Sequence, residues 1–256
     1  MHMNEGVINK GEGPGLILIH GFCENNWMWS DAVDRLANRF NVLAIDLPGF
    51  GDRNEETVLS INDAATFVMD QMSQYRIPKA VIAGHSMGGY VALSALRNHP
   101  DRVVGVSLIN SHASADTLLK SQNRLKTIEF LRNFGSEEFL QLFVKDLLSE
   151  DHEDNEVWIE ELHQMVSRTP LNSIISALYK MIERRDQKDL LKTTNIPVQA
   201  LIGTQDKMAD FREVLEQVSV LAVGDVHLFP SGHLGIKEMP EEYLRALAKF
   251  VVFCNS

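Results

Sequence analysis

Short apolar runs recur along the chain and alternate with segments whose apolar residues follow helical spacing. Five of these runs lie at residues 15–20, 42–45, 80–83, 103–109 and 197–203. A run without polar alternation is typical of a strand buried on both faces, as in a parallel sheet. The pattern therefore predicts right-handed βαβ units and an α/β fold with a doubly wound, mostly parallel central sheet.

The segments between these runs carry the helical pattern. Their apolar spacing predicts one helix directly after Ser86 and others over residues 30–38, 62–75, 208–219 and 240–253. Shorter apolar stretches predict two further strands, at residues 226–229 and near residues 6–10. The pattern leaves open whether the outermost N-terminal strand is present.

The alternation of strands and helices stops after residue 112 and returns near residue 197. Residues 113–190 follow helical spacing throughout, with Ser136 as an expected N-cap and one apolar face formed by Phe139, Leu142, Phe143 and Leu147. We therefore expect two parts. An α/β core comprises residues 1–112 and 191–256, and a helical cap, or lid, is inserted at residues 113–190.

One serine stands at a special place in this pattern. Gly84 and Gly88 flank Ser86 at the Gly-x-Ser-x-Gly spacing of a sharp strand-to-helix turn, a nucleophile elbow. A Cβ atom at either glycine would collide with the neighbouring backbone. The turn exposes the serine hydroxyl, and the N-terminus of the following helix favours a developing negative charge beside it.

A serine hydroxyl becomes a good nucleophile only when an imidazole accepts its proton and a carboxylate orients that imidazole. Two residues at the expected carboxyl ends of later strands fit these roles. Asp206 follows the run that ends at Gly203, and His233 follows the strand that ends at residue 229. Capping of the next helix is the alternative role for Asp206. Asp210 is a competing acid, but the spacing places it inside that helix.

An oxyanion formed at the serine needs two backbone N–H donors. Met87 directly follows the nucleophile, and Phe22 lies in the loop after the first strong strand, so these two residues are the expected donors. Their apolar side chains are also expected to bind substrate. His20 is expected to bond the loop rather than to act as a second base, and His112 could line the pocket.

Composition excludes several classes of function. The formal net charge is −11 without a basic stripe, which argues against nucleic acid or an anionic membrane as a partner. Cys23 and Cys254 do not form a disulfide framework, no apolar run is long enough to span a membrane, and the N-terminus lacks the features of a secretory signal. We therefore expect a cytoplasmic protein.

Acidic residues concentrate between positions 150 and 161, where seven carboxylates occur without a base. A metal site is conceivable there, but a solvated loop followed by a helix start is the favoured interpretation, because acids stabilise helix N-termini. We accordingly expect no metal in the site residues.

Taken together, these motifs resemble those of α/β-hydrolase-fold serine hydrolases of the compact, capped carboxylesterase type. The matching blocks, in chain order, are His20-Gly21-Phe22, Asp46-Leu47-Pro48-Gly49-Phe50-Gly51, Gly84-His85-Ser86-Met87-Gly88-Gly89, Gly203-Thr204-Gln205-Asp206 and Gly232-His233. Two departures stand out: only one strand is expected before residue 15, and Asp52 and Arg53 follow Gly51, where the family often has a small residue.

The predicted activity is hydrolysis of small carboxylic esters, with water as the second substrate and no metal or organic cofactor. We expect a monomer or a homodimer. The resemblance leaves other reactions open on the same three residues: perhydrolysis or cofactor-free halogenation, carbon–carbon bond hydrolysis, and thioester or lactone hydrolysis. A small-ligand receptor that uses the capped pocket is the alternative outside enzymes.

Overall fold

A seven-stranded sheet runs through the computed structural model, which describes residues 6–150 and 155–256. The strands of this described part are β1 Val7–Lys10, β2 Gly15–Ile19, β3 Asn41–Ile45, β4 Ala80–His85, β5 Val103–Ile109, β6 Val198–Gly203 and β7 Gly224–Phe229. Their order is β1-β3-β2-β4-β5-β6-β7, with β1 antiparallel to β3 and every other pair parallel. The predicted fold class is confirmed.

Burial of the strands explains the unbroken apolar runs in the sequence. Every residue of β2, β4 and β6 is buried, since both faces of these central strands are covered. Strand β7 at one edge alternates between exposed and half-buried residues. Because the parallel strands share one direction, the loops at their carboxyl ends gather at a single edge of the sheet.

Helices of the core pack against this sheet and against one another. Their bounds are α1 Ser30–Leu36, α2 Ile61–Gln74, α3 Met87–Asn98, α9 Phe211–Val218, α10 Gly235–Glu238 and α11 Pro240–Cys254. Helix α2 packs on α3, which follows the central strand β4, helix α9 packs on β6, and helices α1 and α10 pack on α11 near the C-terminus. In the described ranges, none of the helices has both the length and the apolar character needed to cross a membrane.

Between β5 and β6, which are neighbours in the sheet, the described chain is helical. This segment comprises α4 Leu118–Phe134, α5 Glu137–Leu147, α6 Asn155–Val166, α7 Leu171–Ile182 and α8 Lys188–Thr193. Helix α4 packs on α7, and α5 packs on α6. Helix α8 packs on the core helix α9.

Two details of α5 differ from the sequence expectation. Its buried face comprises Leu140, Phe143, Val144 and Leu147, whereas Leu142 is 60% exposed. The stripe is shifted because packing against α6 and the core sets which side of α5 turns inward. Ser136 does occupy the N-cap position, but its side chain makes no capping hydrogen bond.

The acidic stretch at 150–161 is covered only in part, because Asp151, Glu153 and Asp154 lie outside the described residues. Glu150, at its start, forms an ion pair with Lys207 at 3.1 Å. Within residues 6–150 and 155–256, no group of histidine, cysteine and acidic side chains is arranged to hold a metal ion.

Candidate active site

Ser86 lies at the sharp turn between β4 and α3, with φ 48° and ψ −115°. This left-handed conformation is strained for a residue with a side chain. The two flanking glycines make the turn possible. A Cβ on Gly84 would lie 2.2 Å from the carbonyl oxygen of Gly88, and a Cβ on Gly88 would lie 2.4 Å from that of Ile19. The turn therefore brings strand and helix backbones into direct contact and leaves Ser86 at its apex.

Asp206 and His233 meet directly beyond the ends of β6 and β7. Oδ2 of Asp206 accepts a hydrogen bond from Nδ1 of His233 at 2.7 Å, while Oδ1 accepts from the backbone N–H groups of Met208 at 2.7 Å and Ala209 at 2.9 Å. Asp206 thus both caps the local turn and orients the imidazole, so the two roles considered from sequence coexist. The competitor Asp210 is not inside a helix but is the N-cap of α9.

Burial alone would raise the pKa of Asp206. The charge of His233, its hydrogen bond and the bonds from Ala209 and Asn110 outweigh that effect and lower the pKa to about 2. The carboxylate is therefore ionised throughout the neutral range and can stabilise an imidazolium on His233.

Asn110, at the end of β5, holds this acid in place. Its Nδ2 donates to Oδ2 of Asp206 and to the carbonyl oxygen of Gly232, both at 3.0 Å. Its Oδ1 accepts from the Tyr243 hydroxyl at 3.1 Å, and that hydroxyl lies 3.0 Å from Oγ of Ser231. Tyr243 is fully buried. The network joins the β5 and β6 ends to the loop that carries His233.

Ser86 and His233 line the same cavity. The ring of His233 and Oγ of Ser86 are not hydrogen bonded to each other in this structure, although both residues are described. Hydrogen bonds of this kind are often long in an enzyme without substrate and shorten when substrate is bound. The geometry therefore brings Ser86, His233 and Asp206 to one place.

Phe22 and Met87 are the expected oxyanion donors: Phe22 lines the same cavity as Ser86, and Met87 directly follows Ser86 in the chain. Met87 is the first residue of α3, where backbone N–H groups have no acceptor within the helix. Phe22 lies in the loop after β2, lines the cavity, and packs edge-on against Phe143, with ring centroids 5.6 Å apart. Its neighbour Cys23 has a left-handed backbone, with φ 60°.

The side chain of Met87 does not lie where the sequence led us to expect. It lines a small separate cavity together with Leu47, Phe50 and Val91, rather than the cavity that contains Ser86. The reason is geometric, because α3 leaves the turn with this side chain directed toward the core. The substrate-binding expectation for Met87 is thereby reduced to its backbone N–H.

His20 bonds the loops around it. Its Nε2 accepts from the backbone N–H of Leu47 at 3.0 Å, so the neutral ring carries its proton on Nδ1, which lies 2.7 Å from the carbonyl oxygen of Gly21. Burial lowers the pKa of His20, which favours this neutral form. A bonding role is consistent with these contacts.

A buried ion pair links two loops of the site. Glu24 Oε2 lies 2.9 Å from Nδ1 of His85 and also accepts from the backbone N–H of Gly21 at 2.7 Å. On its other side, Nε2 of His85 lies 2.9 Å from the carbonyl oxygen of His233. The pair therefore ties the loop that carries Phe22 to the loop that carries His233.

Both partners of this pair are charged. Burial opposes the charge on each, but attraction from Glu24 raises the pKa of His85, and attraction from His85 lowers the pKa of Glu24. The hydrogen bonds agree with this assignment, because both ring nitrogens of His85 face oxygen acceptors and must both donate.

We predict that Glu24→Gln lowers the free energy of unfolding by about 3 kcal/mol near pH 6, since it removes one partner of a buried pair. The stability contributed by the Glu24 carboxylate is lost as the pH falls below about 4, the ordinary pKa of a glutamate. The stability contributed by the His85 imidazolium is lost as the pH rises through the raised pKa of that residue. The difference in unfolding free energy between wild type and Glu24→Gln should therefore become smaller at both the acidic and the basic end of a pH series. Urea unfolding at each pH measures this difference.

Glu55→Gln, at an exposed glutamate before α2, is the matched control and should leave the unfolding free energy within about 0.5 kcal/mol of wild type. If Glu24→Gln lowered the free energy of unfolding by no more than the control does at every pH, the result would contradict the claim that the Glu24–His85 ion pair stabilises the fold.

The cavity around Ser86 has a volume of about 230 Å³. Its apolar lining residues include Phe22, Phe139, Phe143, Leu178, Met181 and Met208. Its polar lining residues include Tyr90, His112, Lys120, Asn123, Arg124 and Thr127. Most of these residues come from α4, α5 and α7, so the helices between β5 and β6 supply much of the wall. His112 lines the cavity, as the sequence allowed.

Sequence reasoning missed Asn110, Glu24 and His85. A polar residue directly after a buried strand was available as a signal for Asn110. His85 stands inside the serine motif, but its partners are 61 and 148 residues away in the chain, and no local pattern reports such contacts.

The model of the alpha/beta hydrolase family matches residues 16–246. A pimeloyl-[acyl-carrier protein] methyl ester esterase from Nitrosomonas europaea is 26% identical over 253 residues, covering 93% of this chain and 96% of that protein. The enzyme of that name from Yersinia enterocolitica is 37% identical over 102 residues, which is 40% of this chain and 38% of the relative.

Solved structures of other hydrolases have a similar fold. A thermophilic esterase from Thermogutta terrifontis superposes with a TM-score of 0.90 at 28% identity, covering 98% of this chain and 93% of that chain. The enol-lactonase from Burkholderia xenovorans has a TM-score of 0.86 at 20% identity, and the match covers 96% of this chain and 95% of the lactonase chain. At this level of identity the similarity concerns the fold only.

Proposed function

The chain belongs to the alpha/beta hydrolase family, and on that premise we propose that it is a serine hydrolase of small carboxylic esters. The observation that carries the proposal is the contact of Asp206 with His233 at 2.7 Å, beside a strained Ser86 in the same cavity. The esterase relatives support the same class of reaction.

In the proposed mechanism, Nε2 of His233 takes the proton of the Ser86 hydroxyl as Oγ attacks the ester carbonyl carbon. The negative charge on the carbonyl oxygen is held by the backbone N–H groups of Phe22 and Met87. The imidazolium then gives its proton to the leaving alkoxide, which departs as the alcohol and leaves an acyl group on Ser86.

Water completes the cycle. His233 accepts a proton from a water molecule whose oxygen attacks the acyl carbon, and it returns that proton to Oγ of Ser86 as the acid leaves. Asp206 stays ionised through both steps and keeps Nδ1 of the ring protonated. The Glu24–His85 pair positions the backbone of His233.

We propose that residues 113–190 act as a cap over this site. The argument is that α4, α5 and α7 supply much of the cavity wall, whereas the reacting groups come from loops of the sheet. The fold would then supply the chemistry and the cap the substrate preference.

The proposed function is tested with p-nitrophenyl esters from acetyl to palmitoyl. A cavity of about 230 Å³ favours the short acyl chains, so we expect kcat/KM to be highest among them. Absence of turnover for every ester, together with ligand-dependent thermal stabilisation, would instead favour a receptor. Halogenation that depends on peroxide would favour the perhydrolase alternative.

A further inference from the structure

Helix α4 turns a polar face toward the cavity. Lys120, Asn123, Arg124 and Thr127 follow one another at the spacing that places side chains on one side of a helix, and all four line the cavity wall. A helix of a globular protein ordinarily turns its apolar stripe inward. Charged and hydrogen-bonding groups at this position therefore point to a polar ligand group.

The charges at this end of the cavity do not balance. The side chain of Asp116 is almost fully buried and accepts from Nε of Arg124 and from Nη1 of Arg184, each at 2.7 Å, so one carboxylate serves two guanidinium groups. Lys120 is paired with Glu213 at 3.3 Å. One positive charge thus remains in a protein whose net charge is −11. Within the described residues, the terminal nitrogens of Arg124 have no acceptor.

A buried and unsatisfied ring atom lies at the same place. His112 is 5% exposed, its Nε2 lies 3.1 Å from the Tyr90 hydroxyl, and its Nδ1 has no hydrogen-bond partner among the described residues. Burial, and then the positive charges of Arg184 and Lys120, lower the pKa of His112 to about 3. The ring is therefore neutral, and the positive charges of Arg184 and Lys120, which contribute to the lowered pKa, favour an anion nearby.

We propose that this end of the cavity, formed by Tyr90, His112, Lys120 and Arg124, binds a carboxylate of the substrate. The inference rests on the proposed esterase function and adds its substrate class: esters that carry a second, ionised carboxyl group on the acyl or the alcohol part. Arg124 provides a planar fork and the unbalanced positive charge for that group, and the ammonium of Lys120, which is paired with Glu213, provides a further N–H donor. When the Tyr90 hydroxyl donates a hydrogen bond to Nε2 of His112, the ring carries its proton on Nδ1. That N–H group is then available to donate a hydrogen bond to the carboxylate of the substrate.

The test compares each charged ester with a neutral isostere. Monomethyl glutarate, with the carboxylate on the acyl part, is paired with methyl 5-methylhexanoate, in which an isopropyl group replaces it. Acetoxyacetate, with the carboxylate on the alcohol part, is paired with isobutyl acetate. Hydrolysis is followed in a pH-stat, and the measured quantity is the ratio of kcat/KM within each pair.

We expect the charged ester of one pair to be preferred by about tenfold or more, and the pair that shows this preference identifies the part that carries the anion. Arg124→Met should lower the preference about tenfold, and Arg124→Lys should retain part of it. The fold tolerates the change because Asp116 keeps its bond to Arg184. Lys126→Met removes an exposed charge from the same helix and should leave the ratio unchanged.

A binding measurement separates this proposal from the esterase proposal. Glutarate should raise the melting temperature of wild type and not of Arg124→Met. If no ester is hydrolysed but this shift depends on Arg124, the carboxylate subsite stands and the esterase proposal fails. If esters are hydrolysed without preference and glutarate produces no shift, the subsite is refuted and the esterase stands. An equal shift with inorganic phosphate would overturn the assignment to a carboxylate.

Discussion

Replacing Ser86 with alanine is expected to lower ester turnover by about 10⁴-fold or more, because Oγ is the proposed nucleophile and no neighbouring group can replace it. The backbone should be unaffected, since alanine keeps the Cβ that already occupies this strained turn, at φ 48°. The measurement is kcat/KM for a short p-nitrophenyl ester, with circular dichroism and urea unfolding to establish that the variant is folded.

Ser219→Ala, at an exposed serine after α9, is the matched control and should retain full activity. A folded Ser86→Ala protein that still hydrolyses esters at a rate near wild type would refute the serine mechanism.

Asp206→Asn is expected to have the second large effect, a loss in kcat of about 10⁴-fold. Both carboxylate oxygens face donors: Oδ2 faces His233 and Asn110, and Oδ1 faces the N–H groups of Met208 and Ala209. An amide NH₂ group must displace one of these donor pairs. It either forces the wrong tautomer on His233 or leaves two backbone N–H groups without an acceptor.

The same substitution should cost about 1–3 kcal/mol of stability, since donors are left unsatisfied in a buried place. The pKa of Asp206 in the folded protein is lowered to about 2. Its ionised form therefore stabilises the fold fully above the unfolded pKa near 4, and this contribution is lost as the pH falls toward 2. The unfolding free energies of wild type and variant should converge over that acidic range.

Asp210→Asn supplies the matched control, because Asp210 is exposed and only caps α9 through the N–H of Arg212. It should retain activity. Near-normal turnover in Asp206→Asn would show that another group orients the imidazole.

Much of the fold could be predicted because its central strands are buried on both faces, and burial leaves unbroken apolar runs such as β2 and β4. The serine turn could be predicted for a related reason. A Cβ at position 84 would collide with the backbone of Gly88, and this steric requirement is local in the sequence. Gly88 instead approaches Ile19 on the neighbouring strand β2, a long-range contact that only the Gly-x-Ser-x-Gly spacing indicates.

Other features depend on contacts that no local pattern contains. The inward side of α5 is set by the elements packed on it, which is why Leu142 is exposed although it lies beside an apolar stripe. Likewise, Glu24 and His85 are polar residues that a sequence pattern assigns to the surface. Their mutual contact, the backbone N–H of Gly21 and the carbonyl oxygen of His233 together make burial favourable for both.

The proposal that Ser86 Oγ attacks the acyl carbon is tested most directly by stoichiometric labelling with an alkyl p-nitrophenyl phosphonate. This reagent is displaced once by an activated serine and is then released very slowly. The predicted result is about one equivalent of p-nitrophenol per chain, a matching mass increase on the peptide that contains Ser86, and parallel loss of ester turnover. Labelling of a different residue, or unchanged ester turnover in a fully labelled protein, would contradict the mechanism.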